Sequence, residues 1–106
     1  MSAGSDKRRF PREHRRAKVS LGAATLFTTD ISTGGFCVEL MRVLARDSSV
    51  NGTLHYEGRS FAFAGVVAWA KGGDARLGLR GRMGIQFTSI DAAFTELLSA
   101  AQRRGR

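Results

Sequence analysis

From Ala17 onward, apolar residues fall mostly on alternate positions. Val19 and Leu21 alternate with Lys18 and Ser20, the period of a half-buried strand. Gly22 is a candidate turn or bulge. Residues 23–29, AATLFTT, make a second strand or continue the first. DISTGG at 30–35 has the composition of a turn, and Phe36, Val38 and Leu40 then alternate with Cys37 and Glu39 in a short strand. Residues 45–52, ARDSSVNG, read as a loop with Asn51-Gly52 as its turn signal. Thr53–Glu57 is a strand, and Gly58-Arg59 closes a hairpin to the next.

The stretch SFAFAGVVAWA at 60–70 is apolar on both parities. Phe61, Phe63, Val67 and Trp69 share one face with Gly65, and small residues dominate the other. Such a strand is covered on both sides or lies in a barrel wall. On this reading Trp69 packs in the core, with a ligand platform as the weaker alternative. Gly65 marks a bend. Residues 71–82 read as a long loop, and Met83, Ile85 and Phe87 form the last strand. Thr88 then offers an N-cap with Asp91 three residues on. Phe94, Leu97, Leu98 and Ala101 follow at helical spacing, with Arg103, Arg104 and Gly105 suited to the helix end. The pattern predicts an all-β chain of about six short strands with one C-terminal helix.

The 106 residues suit one domain, and the single cysteine, Cys37, excludes an internal disulfide. The basic N-terminus lacks the apolar core of a secretory signal, and no stretch approaches the length of a membrane span. A cytoplasmic location without membrane insertion is therefore expected.

The net charge of +8 is unevenly placed. Residues 7–18 hold Lys7, Arg8, Arg9, Arg12, Arg15, Arg16 and Lys18 against Glu13, and Arg103, Arg104 and Arg106 close the chain. Residues 19–102 carry seven cations and seven acids. Residues 1–11 read as a flexible basic arm, 12–102 as a single barrel domain ending in the helix, and 103–106 as a basic tail. A basic arm on a neutral body fits an anionic partner: nucleic acid, an acidic membrane surface or a phosphorylated small molecule.

Catalysis is poorly served. His14 and His55 have no local nucleophile or metal partner. Cys37 alternates with core residues and reads as a small buried hydrophobe. No pair of ligands has a metal-binding spacing. The expectation is a protein that is not an enzyme and holds no metal or cofactor.

Two short motifs carry the functional reading. Arg12-Glu13-His14-Arg15-Arg16 places arginines four apart, RxxxR, and Arg8-Arg9-Phe10-Pro11-Arg12 is an overlapping copy. Downstream comes Asp30-Ile31-Ser32-Thr33-Gly34-Gly35, DxSxxG. Each is weak alone. Together, in this order, with GVVAW at 65–69 and GRMGIQF at 81–87, they resemble the PilZ domain family over roughly residues 8–100.

The resemblance implies a six-stranded antiparallel β-barrel that binds the bacterial second messenger cyclic di-GMP. It implies an RxxxR arm over the ligand and DxSxxG on the barrel surface beneath. Carried over, Arg12 and Arg16 match the first motif, and Asp30, Ser32 and Gly35 the second. Arg8, Arg9, Arg15, Gly34 and Trp69 are secondary candidates. Pro11 stands where many members carry an arginine, so the frame Arg8/Arg12 competes with the preferred Arg12/Arg16. The chemistry suits the ligand: guanidinium groups chelate phosphate or grip guanine O6 and N7, and a carboxylate accepts from guanine N1–H and N2–H. The implied function is a receptor that orders its arm on binding and signals to an unidentified protein partner. The alternatives are a nucleic-acid-binding small barrel and a PilZ-like interaction module without ligand. Few outward aromatics alternate with cations along the strands, which disfavours nucleic acid.

Overall fold

The computed structural model describes residues 16–104. Six strands run in chain order: β1 Lys18–Leu21, β2 Ala24–Ser32, β3 Gly35–Leu40, β4 Ser49–Tyr56, β5 Arg59–Lys71 and β6 Gly81–Ile90. They close an antiparallel barrel in the order β1-β2-β3-β6-β5-β4, and a helix, α1, follows at Ala92–Arg104. The expected barrel and single C-terminal helix are both present. Closure pairs β1 with β4, so no described strand is left with an open edge.

The core follows the alternation. Val19, Ile31, Phe36, Val38, Leu54, Phe61, Phe63, Val67, Met83 and Ile85 point inward and are buried. Phe94 and Leu98 of α1 are fully buried with them, so the helix plugs the barrel. The Phe94 ring meets Tyr56, Phe61 and Phe87 at centroid distances of 5.8, 5.5 and 5.8 Å. These are tilted, edge-type contacts of the favourable kind.

The structure corrects several boundaries. Asn51-Gly52 lies inside β4, opposite Ala64 and Phe63. The glycine serves a close approach: a Cβ there would stand 2.0 Å from the Ser20 carbonyl oxygen of β1. The tight hairpin falls instead at Glu57-Gly58, with φ of 54° and 76°. Positive φ at both central residues matches the twist of the flanking strands.

In DISTGG, Asp30, Ile31 and Ser32 belong to β2 and only Thr33-Gly34 turn. The segment predicted as a loop over 71–82 shrinks, because β5 runs to Lys71 and β6 begins at Gly81. At the other end β6 runs on to Ile90, which pairs with Phe63, so Thr88 is in a strand and cannot cap the helix. Asp91 is the N-cap: its Oδ1 accepts from the Ala93 N–H at 2.9 Å.

Candidate functional site

The site is built on the outer face where β2, β3, β6 and β5 lie side by side. Cys37 of β3 sits opposite Asp30 of β2 on one side and Gly84 of β6 on the other. Gly84 in turn faces Trp69 of β5. One row across the four strands therefore reads Asp30, Cys37, Gly84, Trp69. The adjoining row reads Ser32, Gly35, Gln86, Val66.

Small residues make the floor. A Cβ at Gly84 would lie 2.2 Å from the Trp69 Nε1, so the indole rests against bare backbone. A Cβ at Gly35 would lie 1.9 Å from the Ile85 carbonyl oxygen. The two glycines let an indole and a neighbouring strand approach where any larger residue would block them. The resulting depression, of about 200 Å³, is lined by Ser32, Gly34, Gly35, Cys37, Ala68, Trp69 and Gln86 among others.

Trp69 departs from the core position expected of it. An extra residue, Ala68, is inserted between the pairs Val67–Ile85 and Trp69–Gly84. This bulge turns the indole outward, where it remains 39% exposed. A second bulge at Thr29 separates the pairs Thr28–Val38 and Asp30–Cys37. It places both Thr28 and Ile31 inward and leaves Asp30 facing out. Cys37 is buried, as expected, but beneath the outer depression rather than in the barrel core.

Ser32 shapes the turn. Its Oγ accepts from the Gly34 N–H at 3.2 Å and donates to the Gly35 carbonyl at 3.3 Å. The Gly34 carbonyl accepts from the Phe87 N–H at 2.9 Å, tying the turn to β6. The hydroxyl thus holds Gly34 and Gly35 in place at the rim of the depression.

Arg16 lies elsewhere on the surface. Its guanidinium carbon stands 4.3 Å from the centroid of the exposed Phe27 ring, a cation–π stack. It lines a neighbouring depression with Thr29, Glu39, Met41 and Arg80. The structure therefore sets Ser32, Gly34, Gly35 and Trp69 around one depression, places Asp30 at the far end of the same row and outside that lining, and sets Arg16 to one side. Arg8, Arg9, Arg12 and Arg15, and with them most of RxxxR, lie outside the described residues. Gln86 and Gly84 fall in the GRMGIQF segment of the last strand but are not among the expected site residues. The signal was available: both alternate with Met83, Ile85 and Phe87, so they face out from the same strand.

His55 bonds laterally, its Nε2 lying 3.3 Å from Ser20 Oγ and its Nδ1 3.0 Å from Ser60 Oγ. Among the described residues, no group of three or more His, Cys, Asp or Glu is placed to hold a metal ion.

The PilZ domain sequence model matches residues 6–101, and the chain belongs to the PilZ domain family. Among solved structures it is similar to the Bacillus subtilis inhibitor of motility, MotI/DgrA, at a TM-score of 0.77 and 20% sequence identity. The match covers 93% of this chain and 51% of that one, so this chain spans about half of that protein's length. At that identity the likeness is one of fold. No curated protein matches the chain significantly.

Proposed function

We propose that this chain is a non-catalytic receptor for cyclic di-GMP. The observation that carries the reading is the row Asp30, Cys37, Gly84, Trp69, with Ser32 and Gly35 beside it, on the outer face of a PilZ barrel. Asp30 accepts from the guanine N1–H and N2–H, a pattern adenine does not offer. Trp69 supplies an aromatic wall for a base, and Gly35 and Gly84 let the ligand reach the sheet. The depression of about 200 Å³ falls below the 300–1,000 Å³ usual for small-molecule pockets. It holds part of a dinucleotide, and the rest needs cover from outside the barrel.

The arginines ahead of β1 supply that cover by chelating phosphate and guanine. Arg12 belongs to both RxxxR frames. The Arg12/Arg16 frame requires the Arg16 guanidinium to leave the Phe27 ring, whereas the Arg8/Arg12 frame leaves that stack in place. Binding then orders the arm against the sheet and makes a new surface for a protein partner. The nucleic-acid alternative loses its support on β5, because Phe61 and Phe63 are buried in the core rather than offered for stacking.

The test is calorimetric titration of the full chain with cyclic di-GMP. Saturable heat is expected, and Arg12→Ala and Asp30→Ala each weaken binding by about tenfold or more, the cost of a lost charge-assisted hydrogen bond. Arg8→Ala and Arg16→Ala separate the two frames. No heat with the wild type, or unchanged affinity in the Arg12, Arg16 and Asp30 variants together, overturns the proposal.

A further inference from the structure

We propose that the hairpin tip between β5 and β6 docks on an anionic lipid bilayer surface, independently of the cyclic di-GMP reading. The β5–β6 ladder ends at the Lys71–Arg82 pair. Beyond it the chain closes on itself. The Asp74 N–H donates to the Leu79 carbonyl, and the Leu79 N–H to the Asp74 carbonyl, each at 2.9 Å. The Leu77 N–H donates to the Asp74 carbonyl and the Arg76 N–H to Asp74 Oδ1, both at 3.0 Å. The tip is thus a bonded structure rather than a loose loop, and it holds its apolar side chains in the wrong place for a core. Leu77 is 70% exposed and Leu79 56%.

Cations surround those leucines. Lys71, Arg76, Arg80 and Arg82 are all exposed, and they are four of the seven cations of residues 19–102. Asp74 is the sole acid between 71 and 82, and Arg76 Nε stands 3.6 Å from its carboxylate. Glu39 takes part of the Arg82 charge, at 3.2 Å. The near neutrality of the barrel is therefore a sum that hides a basic, leucine-bearing projection. At its root, Trp69, Lys71, Leu79, Arg80 and Arg82 line one depression, which combines an indole, a leucine and three cations.

Charge complementarity selects an anionic occupant, and two features favour a bilayer over a protein face. The leucines sit on a projecting tip, which needs no matching groove in the partner. The Asp74, Arg76, Leu77 and Leu79 N–H groups are satisfied within the hairpin or its Asp74 carboxylate, so contact with the acyl boundary leaves those donors paired. Basic residues around apolar side chains are the pattern of interfacial binding, and a tryptophan at the root suits the headgroup level.

The test is flotation of the full chain with vesicles of phosphatidylcholine alone and of phosphatidylcholine mixed with phosphatidylglycerol. The wild type binds the anionic vesicles, and its single tryptophan, Trp69, shifts to bluer emission. Basic residues elsewhere in the chain also favour anionic vesicles, so the leucines decide. Leu77→Ser with Leu79→Ser removes only exposed side chains and weakens binding roughly tenfold to thirtyfold. Arg76→Gln with Arg80→Gln weakens it by about twenty-five-fold, each cation near an anionic leaflet contributing about fivefold. Equal binding by the leucine variant overturns the proposal, since charge alone then suffices. A wild type that ignores both vesicles also overturns it and leaves an acidic protein face as the occupant of the tip.

Discussion

The seat of Trp69 on Gly84 can be tested with one methyl group. In Gly84→Ala the new Cβ would stand 2.2 Å from the indole Nε1, 2.7 Å from Cε2 and 2.9 Å from Cδ1. Ordinary carbon contacts begin near 3.5 Å, so the indole must retreat by more than an ångström. The obstructing atoms belong to a side chain that is already 39% exposed, and the strand itself need not move. Uncovering about 60–80 Å² of indole costs roughly 2 kcal/mol at ~25 cal/mol per Å². Replacing glycine in a strand returns about 0.5–1 kcal/mol. The net loss is about 1 kcal/mol, a fall in Tm of roughly 4–8 °C.

The effect on binding is larger, because the displaced ring is the wall of the proposed site. Base–aromatic stacking contributes about 1–3 kcal/mol per base, so cyclic di-GMP affinity should fall about fivefold to 150-fold. The assay pairs calorimetric titration with the emission of Trp69, which should redden as the ring moves into water. In a Trp69→Ala background the same glycine change should cost almost no further affinity, which isolates the coupling between the two residues. Wild-type emission and melting in Gly84→Ala would refute the seat. Wild-type affinity with a displaced ring would refute the indole's part in binding.

Gly35→Ala should behave differently from its neighbour: the new Cβ meets the Ile85 carbonyl at 1.9 Å, a backbone atom that cannot swing away. The β3–β6 pairing must open, and a loss of about 3 kcal/mol or more is expected in chemical denaturation, as for overpacked cores. Asp91→Ala removes the acceptor for the Ala93 N–H and should cost about 1 kcal/mol, read as a lower denaturation midpoint with unchanged cyclic di-GMP affinity.

The parts of the fold legible in the sequence are those where alternation runs undisturbed. Val19 and Leu21, Phe36 to Leu40, Phe61 to Val67 and Met83 to Phe87 all fall on the faces their spacing predicts. The helix was legible from Phe94 and Leu98, which occupy the barrel opening. What misled was local chemistry overruled by pairing. Asn51-Gly52 has turn composition, but β5 is long enough to pair with β4 back to Ser49. Thr88 has cap chemistry, but β6 holds it in the sheet and leaves the cap to Asp91. Ser32 carries both readings at once, with a strand backbone and a hydroxyl bonded into the turn that follows.

The site was harder to see than the barrel because two bulges make it. With strict alternation, Thr28, Asp30 and Ser32 would share a face, and Ile31 would point the other way. A barrel that buried Thr28 would then bury the Asp30 carboxylate and expose Ile31. The extra residue at Thr29 reverses this and sends Asp30 outward. With strict alternation Trp69 would follow Phe61, Phe63 and Val67 into the core, and the extra residue at Ala68 sends it outward as well. The two bulges flank the same pair of strands, β3 and β6, at the level of Cys37 and Gly84. Each gives up a regular ladder position, and together they deliver a carboxylate and an indole to opposite ends of one row. A shift of one residue at either bulge would return its side chain to the other face. The outer face thus gains its chemistry where the strand pattern is broken, while the rows that keep the pattern supply the rigid wall behind it.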